Sequence, residues 1–256
     1  MWVSFCLFID SLRLSLHMAA RLFTRPQPLT VPMVVLFAII PIYLFIGDFV
    51  AGGPVHSPEL AWDRAIPLQP AWSMVYFSLF LAPLLAVFVV HQQELIRRFI
   101  LAYLSIWLVS YAFFLAYPTI APQHVELSEE GFSALALRTI YAWDVQYNCF
   151  PSLHVAQCFL TALTCYRVHR GVGIVAGLWA SLVGLSALYT KQHYIVDVIA
   201  GIFLAFAASQ VFLRSYPREA TPEFERRLAP VLALSAFVLY GLVVAGLWLL
   251  YAVNIF

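Results

Sequence analysis

The chain has 256 residues, of which 63% are apolar and 11% are charged, and its formal net charge at pH 7 is +1. A soluble domain carries roughly 25% charged and about 45–50% apolar residues, so most of this protein's surface must face hydrocarbon. The composition excludes a water-soluble enzyme and a nucleic-acid-binding protein, and the four cysteines form neither a CxxC pair nor a zinc-binding pattern. We therefore expect a membrane protein with several spans.

The first 28 residues differ from the rest because polar side chains recur in them at three- and four-residue spacing. Asp10, Arg13, His17 and Arg21 fall on one face of a helix whose other residues are mostly Leu, Phe, Val and Ala. This pattern predicts an amphipathic helix over residues 1–28 that lies in the membrane interface. A signal peptide is the weaker alternative, because the basic residues follow the apolar run and Asp10 interrupts it.

Seven later apolar runs are long enough to cross a bilayer, which takes about 20 residues of helix. They are continuous rather than alternating, so we expect helices and not strands, in an all-α membrane helical bundle. An amphipathic helix over Ser133–Trp143 is expected between the third and fourth spans, where it could cover a site as a lid. The predicted spans are Val31–Phe49, Trp72–Val90, Phe99–Tyr117, Ser152–Val168, Val172–Thr190, His193–Leu213 and Pro230–Val253.

The positive charges predict how the bundle is oriented. Eleven of the fourteen Lys and Arg residues fall in one alternating set of connections, and the other set holds only Arg64, Arg138 and Lys191. By the positive-inside rule the first set is cytoplasmic. The connection over residues 118–151 then lies outside the cytoplasm, in a multi-pass protein that we expect in the plasma (inner) membrane.

Ionisable residues near the ends of the last predicted core spans are candidates for chemistry, because charge at membrane depth is costly. His193 and Asp197 are four residues apart, so on a helix they share a face and Asp197 can accept a hydrogen bond from one ring nitrogen. The other nitrogen is then free to attack or to carry a proton. A structural His–Asp pair at a helix start is the alternative. Lys191, the only lysine, lies two residues before His193.

A second candidate segment begins the fourth predicted span. Pro151 and Ser152 after a polar loop are typical of a helix N-terminus, which presents free backbone N–H groups and a positive partial charge to an anion. His154 follows in the first turn. A phosphate group suits this arrangement, although plain helix capping explains Pro151 and Ser152 equally well when they are taken alone.

Together the two segments resemble the second and third motifs of the type-2 phosphatidic acid phosphatase superfamily. Residues 149–156 read CFPSLHVA and residues 190–201 read TKQHYIVDVIAG. The likeness is strongest to the inositol phosphorylceramide synthase branch, an inositolphosphotransferase branch in which an Asp-x-x-x-Asn sequence precedes FPSLHVA, here Asp144 and Asn148. The resemblance covers about residues 63–201. We expect three parts in the chain, which are the N-terminal helix at residues 1–28, a six-helix membrane-embedded core at residues 29–213, and a cytoplasmic loop with a last membrane helix at residues 214–256.

The resemblance implies a double displacement without metal or cofactor. His193 would take up the phosphoryl group, and Asp197 would orient it. His154 would protonate the departing alcohol and then deprotonate the incoming water or alcohol. Ser152, with the helix end, would bind the phosphate.

The sequence departs from the family pattern where that pattern has basic residues. The family's first motif, a lysine followed seven positions on by Arg-Pro, has no counterpart in residues 117–122, and the Ser-Arg pair of the third motif reads Ser186-Ala187. Phosphoryl transfer depends largely on charge stabilisation. We therefore expect Lys191 to replace the lost arginine, with Arg138 as a second phosphate-binding donor.

Two activities on a lipid substrate within the bilayer remain open. A phosphotransferase moves a phosphate-bearing head group to an alcohol acceptor, whereas a phosphatase hydrolyses a phosphatidic acid- or polyprenyl-phosphate-type monoester with water. The small set of cations favours the transferase, because a diester donor carries less negative charge than a monoester. A transporter and a catalytically inactive lipid-binding protein of the same fold are weaker alternatives. The sequence leaves open whether the chain forms a homo-oligomer.

Overall fold

The computed structural model describes residues 30–122, 127 and 130–253. All regular elements in that part of the chain are helical, which confirms the predicted all-α membrane bundle. The α-helices there are α1 (Thr30–Val50), α2 (Ala61–Ala65), α3 (Ser73–Phe77), α4 (Leu81–Val89), α5 (Gln93–Ala116), α6 (Phe132–Trp143), α7 (Leu153–Val168), α8 (Arg170–Tyr189), α9 (Ile195–Phe212) and α10 (Glu223–Ala252).

Within the described residues, five helical segments are long and apolar enough to cross a membrane. One is the stretch Pro70–Val89, in which short 3-10 turns precede α3 and join it to α4. The others are α5, α8, α9 and α10. They account for five of the seven predicted spans.

Helices α5 and α10 begin before the predicted spans because charged first turns extend them. Glu94 lies 2.9 Å from Arg97 and 2.7 Å from Arg98, and Glu223 pairs with Arg227. Such pairs, three or four residues apart, stabilise a helix turn that a search for apolar runs overlooks.

The first predicted span corresponds to α1, which crosses a boundary between two compact units of the chain. These units are residues Met1–Pro41 and Ile42–Phe256. Within α1, the segment Pro41–Val50 is apolar but shorter than the helices that could cross a membrane. The interfacial helix predicted over residues 1–28 lies outside the described residues. The division of the chain into parts at residues 28 and 213 stays a prediction.

The fourth predicted span corresponds to α7, the helix around which the others pack. Its 16 residues are too few for a typical span, since they extend about 24 Å against a hydrocarbon core of about 30 Å. It contacts α4, α5, α8 and α9, so protein rather than lipid surrounds most of it. This burial permits polar side chains: Tyr103 donates a hydrogen bond to Gln157 Oε1 at 2.7 Å, and Thr161 donates one to the Ala82 carbonyl at 2.9 Å. α7 is the buried centre of the bundle.

The connections on the predicted exterior side are joined by backbone contacts. His56 and Thr119 form an isolated parallel bridge, as do Thr119 and Asn148. The Thr119 hydroxyl also accepts a hydrogen bond from the Phe150 backbone N–H at 2.8 Å. Three loops therefore converge immediately before the start of α7, where the candidate site lies.

Candidate active site

His193 lies in the short connection between α8 and α9, with its side chain only 4% exposed. α8 ends in a Schellman motif, in which the backbone N–H groups of Lys191 and Gln192 donate back to carbonyls of the helix. The predicted sixth span starts at His193, whereas α9 starts at Ile195. The imidazole is thus held by the turn before the helix and not by its first turn.

Asp197 is close to His193, as the spacing predicts, but it also has a second role. Its Oδ2 lies 3.6 Å from His193 Nδ1 and accepts a hydrogen bond from the backbone N–H of Tyr194 at 2.8 Å. That bond caps α9 and explains why the helix begins after His193. Neither His193 Nδ1 nor Asp197 Oδ1 has a hydrogen-bond partner within the described residues. The Nδ1–Oδ2 distance is slightly longer than a hydrogen bond, and hydrogen bonds between catalytic groups are often long in the absence of substrate.

Ser152 is the N-cap of α7, as predicted from the sequence. Its hydroxyl accepts a hydrogen bond from Val155 N–H at 3.3 Å, and its own backbone N–H donates to the Asp197 carbonyl at 3.0 Å. A Cβ on Gly201 would lie 2.4 Å from the Ser152 carbonyl oxygen, so only glycine permits this approach. The starts of α7 and α9 are therefore locked together, which carries both histidines to one place.

The imidazole rings of His154 and His193 have centroids 5.8 Å apart and meet edge to face at 64°. His154 lies in the first turn of α7 and is half-buried. Its Nδ1 lies 3.0 Å from the hydroxyl of Tyr76 on α3. Of the residues predicted for the site, the structure brings together His154, His193 and Asp197 around the Ser152 helix end.

Lys191 is tied to a neighbouring loop. Its ammonium donates hydrogen bonds to the carbonyls of Asp63 at 3.1 Å and Ile66 at 2.6 Å. Its backbone has φ of +57°, in the left-handed region where a Schellman motif usually has glycine. An ammonium has three protons, so one is left for a ligand. Lys191 thus holds the loop around α2 against the site whether or not it also binds phosphate.

Asp63 joins the same loop to the start of α9. Its buried carboxylate accepts hydrogen bonds from the backbone N–H groups of Leu60 at 2.7 Å and Ile195 at 2.8 Å. One side chain thereby caps two helices, because Ile195 is the first residue of α9 and Leu60 precedes α2. Asp63 is therefore a structural support of the His193 turn.

A cavity of about 460 Å³ opens beside His193. Lys191 and Arg64 are the cations among its lining residues, and Glu59 and Tyr194 also line it. Arg64 is exposed and lies 3.3 Å from Glu59. The cavity therefore presents both charge signs and a phenol next to a buried imidazole.

Arg138 does not line that cavity within the described part of the chain. It lies on α6, which forms where an amphipathic helix was predicted, and its side chain is exposed. Its guanidinium donates a hydrogen bond to the Leu127 carbonyl at 3.2 Å. A phosphate-binding role for Arg138 stays a prediction, and so does a lid role for α6.

Two tyrosines of the site were not predicted from the sequence. Tyr76 donates a hydrogen bond to Asp144 Oδ2 at 2.9 Å, and Tyr43 donates one to Asp144 Oδ1 at 3.0 Å. Both tyrosines are buried. In the sequence they are single polar residues in apolar runs, a pattern that also fits ordinary membrane-interface aromatics. Only the position of Asp144, quoted from the family motif, pointed toward this cluster.

Within residues 30–122, 127 and 130–253, no group of three or more His, Cys, Asp or Glu side chains has an arrangement that could hold a metal ion. The expectation that catalysis needs no metal stays a prediction.

The sequence comparisons agree with the motif resemblance. A sequence model of the PAP2 superfamily matches residues 59–211, a stretch that contains His154, His193 and Asp197. The chain is similar to a PA-phosphatase related-family protein of Dictyostelium discoideum, with 25% identity over 121 residues, which are 43% of this chain and 22% of that protein. The chain thus spans about a fifth of that relative's length. It is also similar to the solved structure of Aquifex aeolicus LpxE, with a TM-score of 0.42 and 17% identity over 68% of this chain and 95% of that one.

Proposed function

The chain belongs to the PAP2 superfamily, and from this premise we propose that it is a membrane enzyme that transfers a phosphoryl-linked group of a lipid through a phosphohistidine at His193. The main support for the proposal is the closeness of two imidazoles, whose ring centroids are 5.8 Å apart. His154 belongs to α7, and His193 lies in the turn before α9. A double displacement needs a nucleophile that attacks phosphorus and a proton carrier that reaches the leaving oxygen on the opposite side of the phosphorus. Two imidazoles at this separation suit that division of roles.

In the first step, His193 Nε2 attacks phosphorus, since its Nδ1 is the nitrogen that faces Asp197. The bond between phosphorus and the leaving oxygen breaks, and His154 donates the proton that this oxygen needs. In the second step His154 takes a proton from the acceptor, whose oxygen attacks phosphorus and releases His193. The carboxylate of Asp197 stabilises the positive charge that His193 carries in between.

We propose that the substrate phosphate is bound by the free backbone N–H groups at the start of α7, by Ser152 and by two cations beside the cavity. Lys191 and Arg64 line the cavity next to His193. The position at which the family pattern has an arginine is Ala187, which is completely buried and adds no charge. A site with so few cations suits a phosphodiester better than a doubly charged monoester.

We therefore propose a lipid phosphotransferase with an alcohol acceptor, of the inositol phosphorylceramide synthase-like type. Lipid phosphate hydrolysis is the second candidate, and the matched superfamily and the PA-phosphatase related relative favour it. The distribution of Lys and Arg supports a site on the non-cytoplasmic face of the plasma membrane. The connections on that predicted side hold only three of the fourteen, which are Arg64, Arg138 and Lys191.

Purified protein in lipid nanodiscs separates the two activities. Labelled phosphatidic acid and labelled phosphatidylinositol are each supplied with and without ceramide, diacylglycerol or inositol, and the products are resolved by thin-layer chromatography. The transferase predicts a labelled product that needs both a diester donor and an alcohol. Free phosphate released from the monoester alone, whatever alcohol is present, supports the phosphatase and contradicts the transferase.

The same assay includes matched histidine variants. His193→Gln and His154→Gln remove the two site imidazoles, while His56→Gln removes an exposed imidazole that stacks on Tyr117. The proposal predicts that only the first two variants lose turnover. Full turnover by His193→Gln would contradict a phosphohistidine mechanism for either activity.

A further inference from the structure

Besides Asp197, a second carboxylate lies near the two histidines. Asp144 follows α6 and accepts hydrogen bonds from three donors: the hydroxyls of Tyr43 and Tyr76, at 3.0 Å and 2.9 Å, and the backbone N–H of Val145, at 2.9 Å. These three donors hold the Asp144 carboxylate in place next to the site.

The proton positions in this cluster follow from the number of donors. A phenol has one proton, and the Tyr76 proton goes to Asp144, which as an anion can only accept. The oxygen of Tyr76 must then accept from its other neighbour, His154 Nδ1, at 3.0 Å. His154 consequently carries a proton on Nδ1, and its Nε2 is the nitrogen left for the reaction.

We propose that Tyr76 and Asp144 are positioning residues for His154: they keep its Nδ1 protonated, aim Nε2 at the reacting phosphate, and stabilise the imidazolium. This inference rests on the proposed function, in which His154 carries the proton. During the reaction only the proton on Nε2 moves, to the leaving oxygen and back from the acceptor. The Nδ1 proton stays on His154, and neither Tyr76 nor Asp144 changes its protonation.

The arrangement of charges around His154 favours this role. Tyr43 from α1 lies with its ring centroid 6.2 Å from that of His154, Tyr76 contacts it from α3, and His193 faces it from the turn before α9. In the first step His154 is an imidazolium next to the His193 ring, and a positive charge in such a partly buried place is costly unless a negative charge lies close to it. Asp144, reached through Tyr76, supplies that negative charge for His154, while Asp197 does so for His193.

Two variants and a matched control test the proposal. Tyr76→Phe removes the acceptor of the His154 Nδ1 proton. Asp144→Asn places an amide N–H where the anion was, so that the Tyr76 proton can turn toward His154 and impose the wrong tautomer. Tyr103→Phe is the control, because it also loses a buried tyrosine hydroxyl, which donates to Gln157 Oε1 at 2.7 Å.

We expect kcat to fall by about tenfold to a hundredfold in Tyr76→Phe, the usual loss when a partner of a reacting group is removed. A larger fall is expected in Asp144→Asn, where the tautomer is wrong. In both variants KM should change little, and the alkaline limb of the kcat–pH profile should move to lower pH because imidazolium loses its partner. Tyr103→Phe should keep the wild-type kcat and profile.

Comparing substrates with different leaving groups separates a loss of proton transfer from a loss of folding, because misfolding lowers the burst equally for all substrates. An aryl ester that releases p-nitrophenolate needs little protonation, whereas an alkyl ester needs the proton of His154. The variants should therefore lose more of the pre-steady-state burst with the alkyl ester than with the aryl ester. Equal losses with both esters, or an unchanged pH profile in both variants, would overturn the positioning role.

The experiments distinguish a failure of the positioning role from a failure of the proposed function. If His193→Gln retains turnover, the phosphohistidine mechanism itself is wrong. If His193→Gln is inactive while Tyr76→Phe and Asp144→Asn behave like Tyr103→Phe, only the positioning role fails.

Discussion

The two histidines of the site are held in different ways. His193 has its carboxylate four residues along the chain, with 3.6 Å between Nδ1 and Asp197 Oδ2. His154 reaches a carboxylate only through Tyr76, which is 78 residues away in the sequence and bridges to Asp144. The first pair forms wherever the turn before α9 forms. The second needs α3, α7 and the end of the α6 connection to be packed together, so it depends on the tertiary fold.

Removing each imidazole in turn should have the largest effects and should distinguish the roles of the two histidines. His193→Gln should lower turnover by about 10⁴-fold or more with every substrate, as is typical for loss of a nucleophile. His154→Gln should be comparably inactive with an alkyl ester but keep part of its first step with an aryl ester, because p-nitrophenolate leaves without a proton. Stopped-flow measurement of the leaving group checks this difference. Identical behaviour of the two variants on both esters would show that the histidines do not divide the roles.

Gly201→Ala breaks both arrangements at once, because it separates the starts of α7 and α9. Its Cβ would lie 2.4 Å from the Ser152 carbonyl oxygen, and such overpacking costs about 1–3 kcal/mol of stability. We expect a lower melting temperature together with a loss of turnover.

The control is Gly177→Ala on α8, where an added Cβ meets no described atom within 4 Å. It should keep both properties. Wild-type turnover in Gly201→Ala would contradict the link between this contact and the site.

Variants of Lys191 test the loop contacts next to the His193 turn and leave the partners of His154 unchanged. Lys191→Ala loses two ammonium hydrogen bonds to the Asp63 and Ile66 carbonyls but keeps the left-handed backbone at φ +57°. Lys191→Gly loses the same bonds and avoids a backbone cost of roughly 0.5–1 kcal/mol. Both variants should melt below wild type, with the glycine variant about 2–4 °C above the alanine variant.

Scanning calorimetry of the protein in nanodiscs measures this order. If Lys191→Ala melts like wild type, the ammonium does not tie the loop to the site. Phosphate binding is assessed separately, by whether Lys191→Arg restores turnover lost in Lys191→Ala.

The smallest expected effect concerns the reactivity of the Cys149 thiol. Burial raises the pKa of its thiol well above the usual range, and the negative charges of Asp197 and Asp144 raise it further. Because the thiolate is the reactive form, the thiol should resist maleimide at pH 8 in the folded protein and react after denaturation. Mass spectrometry of the labelled peptide checks this. Rapid labelling of folded protein would mean that the space between the two carboxylates is more open than the structure has it.

The sequence predicted the helical membrane bundle, the start of α7 at Ser152 and the closeness of His193 to Asp197. Each of these depends on local signals, which are apolar length, helix capping and a four-residue spacing. The predicted start of the sixth span was two residues early because apolar length does not register the Asp197 bond to Tyr194 N–H, which caps α9.

The partners of His154 and Lys191 could not be predicted from local sequence patterns. Tyr43 and Asp144 are 101 residues apart, Tyr76 and Asp144 are 68 apart, and the Lys191 ammonium bonds carbonyls more than 120 positions earlier. A tyrosine in an apolar run does not indicate in advance which distant carboxylate it meets. A lone lysine beside a histidine suggests a ligand more readily than a loop tether.

Trapping the covalent intermediate tests directly whether His193 takes up the phosphoryl group. Wild-type protein is mixed with a lipid substrate labelled at phosphorus, quenched in alkali within milliseconds and digested for mass spectrometry. The account predicts an acid-labile, alkali-stable phosphoryl group on the peptide that contains His193, present in Tyr103→Phe and missing in His193→Gln. Turnover without any phosphorylated peptide, or with the label on another residue, would contradict it.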